Sequence, residues 1–202
     1  MSNLKNGILA TAASALLFSG MAVAQMNAPA GGTQSTTSGV STADKHFMEK
    51  AAQGGMAEVE FGQLAQQNAS SPEVKNFGKR MVDDHSKAND QLKQLAEQKG
   101  VQLPNSLDAK DKTTKNKLSK LQGDAFDKAY MKDMVMDHKK DVAEFKHESM
   151  AAHDADLKNW AGETLPTLQS HLQEAEKIAP QVSSSKMGQN SMNTNNTTAQ
   201  QH

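Results

Sequence analysis

Four long segments of the chain carry an apolar seam whose residues recur at alternating spacings of three and four, as in helices that pack along their whole length. They span about 43–68, 71–100, 124–152 and 154–179. The connection between the second and third predicts a short helix at about 107–121. No stretch shows the strict alternation of a half-buried strand. The sequence therefore predicts an all-α fold, a four-helix bundle of two antiparallel hairpins whose long connection carries a short extra helix.

Capping and helix-breaking residues set the expected helix boundaries. Small polar residues supply the N-caps, and glycine or proline ends a helix. The boundary residues are Ser41 or Thr42, Ser71, Gly100, Asp124 and Pro180. Pro166 falls inside the fourth pattern, where its missing N–H predicts a kink or a break. If the helix breaks there, Thr164 would cap a shorter helix.

Each seam is apolar or small except at one position. The four exceptions are Glu58, His85, His138 and His171. At ~1.5 Å of rise per residue, the two exceptions of each hairpin lie within about 5 Å of one height, near mid-helix. Bundles build core metal sites from polar groups that point inward at one level. The sequence therefore predicts these residues as ligands of a transition metal (iron, manganese or zinc ahead of copper), with no organic cofactor.

The pattern Met-Val-x-Asp-His occurs twice in the chain and adds candidate supporting residues. These are Asp84, Asp137, Met81, Met134 and Tyr130. Each aspartate could accept a hydrogen bond from a ligand, bind the metal itself or face solvent. Each methionine lies one turn before a histidine, where it suits either core packing or a copper site. The tyrosine could hydrogen-bond into the site or only pack.

A structural role is the alternative for the four seam residues. A single histidine on an apolar face is commonly a hydrogen-bonded core residue, and a neighbouring glutamate can form a buried ion pair with it. Burying three imidazoles and a carboxylate is costly unless they pair with one another or bind a metal. Both interpretations remain open at the level of sequence.

The two ends of the chain differ in composition from its middle. Residues 1–24 combine a lysine, an apolar run and a closing Ala-Val-Ala, which predicts a cleaved signal peptide and export to the periplasm. Residues 25–40 and 181–202 are small and polar, which predicts a disordered linker and a disordered tail. The folded domain is expected at 41–180.

Composition narrows the range of partners. The chain has 22 basic and 23 acidic residues and no cysteine, so it offers neither a basic stripe for nucleic acid nor a thiolate ligand. No segment after the signal is apolar enough to cross a bilayer. Contact with a membrane would therefore be peripheral, and oligomer formation is left open.

Four blocks of sequence carry a resemblance to a known family. They are "AAQGGMAEVEFGQLA" (51–65), "SSPEVKNFGKRMVDDHSKAN" (70–89), "FDKAYMKDMVMDHKKDVAEF" (126–145) and "LPTLQSHLQEA" (165–175). Occurring in this order, they resemble the exported bacterial domain-of-unknown-function family 4142, whose members are labelled predicted outer membrane or exported proteins. The resemblance covers about 43–179 and implies a ferritin-like four-helix fold. The recurring positions it implies are Glu58, His85, Phe126, Asp127, Tyr130, His138 and His171.

The same blocks depart from ferritins at the metal-binding motif. Dinuclear carboxylate sites use Glu-x-x-His on two helices. The residue three before each histidine is Val82, Val135 or Leu168, which argues against a ferroxidase di-iron centre. We therefore expect a metal-binding or stress-protective envelope protein without strong catalysis. A metal-dependent oxidase or peroxide scavenger, and a structural module whose buried polar set only fixes helix packing, are the alternatives.

Overall fold

A computed structural model describes the backbone of residues 39–193 and the side chains of residues 39–184. The predicted signal peptide, most of the predicted linker and residues 194–202 lie outside this range. The described chain forms five helices and no strand, which confirms the all-α prediction. They are α1 (Thr42–Asn68), α2 (Pro72–Lys99), α3 (Ala109–Leu118), α4 (Gly123–Ala151) and α5 (Ala155–Asn193). Within this range no helix has the length and apolarity to span a membrane.

The long helices pack as two hairpins. Helix α1 packs along α2, and α4 packs along α5. The hairpins meet through contacts of α2 with α5 and of α1 with α4, while α3 lies against α1 and α4. Because every long helix contacts two others, the seam positions of all four face one interior.

Most of the expected caps are present, and one is not. Ser41 and Ser71 cap α1 and α2, and Gly100 ends α2 in a left-handed conformation (φ 67°). The prediction that Asp124 caps α4 is wrong, since Gln122 occupies that position without a side-chain cap bond. Asp124 instead accepts a hydrogen bond of 2.9 Å from the Ser70 hydroxyl. The Asp124 side chain thus bonds to the turn between α1 and α2 instead of capping its own helix.

The two prolines of the last helix do not end it. Helix α5 is continuous through Pro166 and Pro180. The Thr164 hydroxyl donates to the Trp160 carbonyl at 2.8 Å, a bond inside a helix rather than at its start. The prediction that the helix stops at Pro180 is therefore wrong. Buried Val182 follows the proline and packs in the core, which offsets the backbone hydrogen bond that a proline removes.

The apolar core consists of two clusters, one at each end of the bundle. One cluster includes Phe61, Phe77, Phe126 and Tyr130, and the other includes Phe47, Leu92, Phe145 and Trp160. Along α2, α4 and α5, the histidine of the seam falls between the residues of one cluster and those of the other, whereas Glu58 of α1 lies within the first cluster, between Ala57 and Phe61. The three histidines therefore lie at the level where the two clusters meet, and Glu58 lies beside that level.

Candidate metal centre

Three histidines from three helices converge at the level between the two clusters. His85 comes from α2, His138 from α4 and His171 from α5. Their ring centroids lie 5.7 Å (His85–His138), 5.4 Å (His85–His171) and 5.3 Å (His138–His171) apart. One nitrogen from each ring lies within 4.8 Å of the other two, so the three residues could hold a metal ion.

Burial keeps these imidazoles neutral. His85 is 7% exposed and the other two are fully buried. Loss of hydration lowers the pKa of His138 to about 4, with the nearby His171 adding to the effect. Burial, followed by the charges of its two partners, lowers the pKa of His85 well below its usual value, and burial lowers the pKa of His171. Neutral imidazoles have the free lone pair that metal binding requires.

Protein acceptors hold the outer nitrogens of two of the rings. His138 Nδ1 lies 3.0 Å from the Met134 carbonyl oxygen, and His171 Nε2 lies 2.8 Å from Asp84 Oδ2. Because both oxygens only accept, these ring nitrogens carry the protons. Their other nitrogens are then unprotonated. This is how proteins fix the tautomer and orientation of metal-binding histidines.

Each ring has one buried nitrogen with no hydrogen-bond partner among the described residues. These nitrogens are His85 Nε2, His138 Nε2 and His171 Nδ1. Buried polar atoms are nearly always paired, so three unpaired atoms in one cluster need an explanation. A metal ion held by the three histidines would give all three nitrogens a partner.

Glu58 lies beside the three-nitrogen group, not within it. Its Oε1 is 3.8 Å from His138 Nδ1, the nitrogen that donates to Met134, and its Oε2 has no partner among the described residues. Burial, with Asp141 and Asp137 adding repulsion, raises the pKa of this carboxyl well above its usual value. The structure thus brings the three predicted histidines together and places the predicted glutamate at the edge of the site.

The supporting candidates also differ in whether they contact the histidines. Asp84 contacts His171 directly, whereas Asp137 pairs with Lys110 at 3.0 Å. Tyr130 is fully buried, and its hydroxyl has no partner in the described chain. Burial and the nearby Glu58 raise the pKa of that hydroxyl. Met81 and Met134 are fully buried in the first apolar cluster.

Sequence analysis missed the residue that anchors Asp84. Arg80 Nε lies 3.3 Å from Asp84 Oδ2, and its Nη atoms reach Glu174 at 2.6 Å and Ser170 at 3.1 Å. The guanidinium thereby joins α2 to α5 beside His171. A signal was present, since Arg80 is the single arginine of the chain and lies one turn before Asp84.

Aromatic packing closes one side of the site. The Phe77 ring centroid lies 6.4 Å from that of His138 and 6.4 Å from that of His171, and both contacts are edge-on. Two cavities reach the site from other directions. One is lined by Glu58 and His85, and the other by Asp84, His85 and His171.

Comparison with known proteins places this geometry in context. A sequence model of the family described as "Domain of unknown function (DUF4142)" matches residues 29–178. No curated protein matches the chain. The crystal structure of a DUF305 fragment from Deinococcus radiodurans is similar with a TM-score of 0.63 and 11% sequence identity, covering 70% of this chain and 98% of that chain. At that identity the likeness extends to the helical fold alone.

Proposed function

The chain belongs to the DUF4142 family, and we propose that it is a metal-binding helical protein whose centre is His85, His138 and His171. One observation carries the proposal. Three histidine rings from three helices converge, each has a buried nitrogen with no hydrogen-bond partner among the described residues, and protein acceptors fix the other nitrogens of two of the rings.

The energetics favour a bound ion over a structural role. Each buried polar atom without a partner costs about 1–3 kcal/mol, and three such atoms in one place would be a large fraction of a domain's stability. A structural histidine network would be expected to place a proton between two of the rings. Here each described hydrogen bond of the rings goes outward, to a backbone carbonyl or to a carboxylate.

The donor set narrows the choice of metal. Imidazole suits zinc, iron and copper, whereas manganese prefers oxygen ligands and binds most weakly among these divalent ions. A three-histidine set with an open fourth position is a known zinc arrangement. We therefore expect zinc or iron, with copper as the competitor that has the highest intrinsic affinity.

The cellular setting is part of the proposal. The apolar run and Ala-Val-Ala near the start of the chain support export to the periplasm. The two hairpins joined by the α3 connection support a ferritin-like four-helix arrangement. A protein of this kind would protect the cell envelope under stress by sequestering metal. Identifying the N-terminal residue of the protein recovered from the periplasm tests the export step, and a start at Gln25 is expected.

A metal-dependent redox activity is the second candidate. The observation that favours it is the cavity that reaches Glu58 and His85, because a redox enzyme needs access for its substrate. Loss of peroxide consumption in His138→Ala, with the fold retained, would support this candidate. Full metal binding by a protein that consumes no peroxide would favour sequestration.

Metal titration of untagged protein tests the main proposal. We expect one zinc ion per chain in wild-type protein and none in His138→Ala. His147→Ala is the matched control, because it removes an exposed histidine from the same helix. A control that loses as much binding as His138→Ala would contradict the assignment.

A further inference from the structure

A second group of polar residues lines the cavity that leads to the metal centre. This cavity has a volume of about 180 Å³ and lies chiefly between α1, α4 and the start of α3. We call it the acidic vestibule. Its acidic residues are Glu58, Asp108, Asp111, Asp137, Asp141 and Glu144.

We propose that the acidic vestibule is the route by which a divalent cation reaches the three-histidine centre, with Glu58 as the oxygen ligand that passes the ion to the imidazoles. This inference rests on the proposed function, since it requires that the centre bind a metal. It goes further by assigning the path of the ion and the residues that guide it.

Charge supports a cation as the occupant. Without Glu58, whose pKa is raised by burial, five carboxyl groups still outnumber the three lysines of the vestibule, Lys50, Lys110 and Lys140. Lys110 is already paired with Asp137. Clefts lined by an excess of one charge raise the local concentration of the opposite ion and its rate of association.

The carboxyl groups also repel one another. Burial, followed by Asp137, raises the pKa of Asp141 to about 7, and burial, followed by Asp108, raises the pKa of Asp111. A divalent cation passing between these groups relieves that repulsion. Among the described residues only the three histidines meet the geometry of a metal site, so we assign the carboxyl groups the role of guiding the ion.

The inner end of the vestibule supplies an independent observation. Glu58 is 3% exposed, lines the vestibule and has an Oε2 with no partner in the described chain. Its Oε1 lies 3.8 Å from His138 Nδ1. His85, whose Nε2 is also unpaired, lines the same cavity. One side-chain oxygen and one ring nitrogen, both without a partner among the described residues, therefore belong to residues that line the vestibule.

The second cavity is less suited to a cation. It is lined by two acidic residues, Asp84 and Glu163, and by one lysine, Lys87. Asp84 is already bound to Arg80 and His171. The second cavity therefore has a weaker negative field than the acidic vestibule. Its carboxylate nearest the histidines, Asp84, is already bound to other residues.

Stopped-flow mixing of metal-free full-length protein with Co²⁺, followed by the visible absorption of the bound ion, tests the route. At pH 8, above the pKa of about 7 of Asp141, removing two charges from the vestibule with Asp111→Asn plus Asp141→Asn is expected to lower the association rate about tenfold while changing the dissociation rate less than twofold. Glu163→Gln, which removes one charge from the other cavity, is expected to leave both rates within twofold. Lys110→Gln changes an exposed side chain without threatening the fold, and it is expected to raise the association rate.

The outcomes separate the two proposals. Unchanged association rates in both vestibule variants, or a larger loss in Glu163→Gln, would overturn the route while leaving the metal centre intact. A wild-type protein that binds no Co²⁺ would overturn the route and the proposed function together. A lower association rate in the double variant, with a higher rate in Lys110→Gln, would support the route.

Discussion

Asp84 Oδ2 accepts a hydrogen bond of 2.8 Å from His171 Nε2, and this contact joins α2 to α5 beside the candidate metal centre. The carboxylate is held in turn by Arg80. The contact leaves His171 Nδ1 unprotonated, and this nitrogen has no hydrogen-bond partner in the part of the chain that the structure describes. A residue outside the three-histidine group thus orients one of the ligands.

Replacing Asp84 should weaken metal binding without unfolding the protein. Replacing a carboxylate that orients a metal-binding histidine typically lowers metal affinity by about 10- to 100-fold. We expect a loss in this range for Asp84→Asn, measured by competition with a zinc chelator. Asp83→Asn is the control, since it removes a neighbouring acid whose side chain is 58% exposed. Equal affinities in the two variants would show that the carboxylate does not position His171.

An apolar residue at His85 should be tolerated when no metal is present. His85 Nε2 has no partner in the described chain, so His85→Leu removes an atom whose burial is costly. In EDTA, we expect the free energy of unfolding to stay equal or to rise by up to about 1 kcal/mol. The same variant should lose the zinc-induced rise in Tm. A loss of more than about 2 kcal/mol in urea denaturation would point to a structural role for His85.

The pH dependence of the free energy of unfolding should reflect the protonation of His138. Its pKa is about 4 in the folded protein and near the usual 6.5 in the unfolded chain. Below pH 6.5 the unfolded chain therefore binds a proton that the folded protein excludes. This part of the stability is complete above pH 6.5 and is lost as the pH falls toward 4.

Comparison with His138→Leu isolates this effect from other titrating groups. In metal-free protein, wild type should lose up to about 3 kcal/mol relative to the variant between pH 7 and pH 4. Urea denaturation at several pH values measures the difference. A difference that does not change with pH would mean that His138 titrates normally in the folded state.

Close packing of α1 against α2 can be tested at two glycines. A Cβ at Gly62 would lie 2.5 Å from the Gly78 carbonyl oxygen, a backbone atom with little room to shift. We expect Gly62→Ala to destabilise the protein by about 1–3 kcal/mol. Gly54→Ala lies on the same helix with nothing within 4 Å, and should stabilise by about 0.5–1 kcal/mol. Thermal unfolding of both variants gives the comparison, and equal shifts would contradict the close approach.

Sequence periodicity was sufficient to predict the helices, because the apolar seam, the serine caps and Gly100 act through interactions between residues close in sequence. It failed where tertiary contacts determine the start or the end of a helix. Asp124 bonds Ser70 across the bundle instead of capping α4, and α5 continues past Pro180 because Val182 is buried in the core.

The same limit applies to the candidate site. Helical spacing could place His171 at the right face and height, but it could not show which of its ring nitrogens is protonated. That choice depends on Asp84, which lies on another helix. Spacing also could not separate Glu58, at the edge of the site, from the three histidines that converge. Metal binding itself stays a prediction.

The central claim is tested most directly by a crystal structure of the zinc-loaded protein, with anomalous scattering recorded at the zinc absorption edge. We expect one strong peak between His85, His138 and His171, about 2.0–2.1 Å from one nitrogen of each ring. No peak at that position in crystals grown with excess zinc, or one bound only by surface carboxylates, would contradict the assignment of this protein as a three-histidine metal binder.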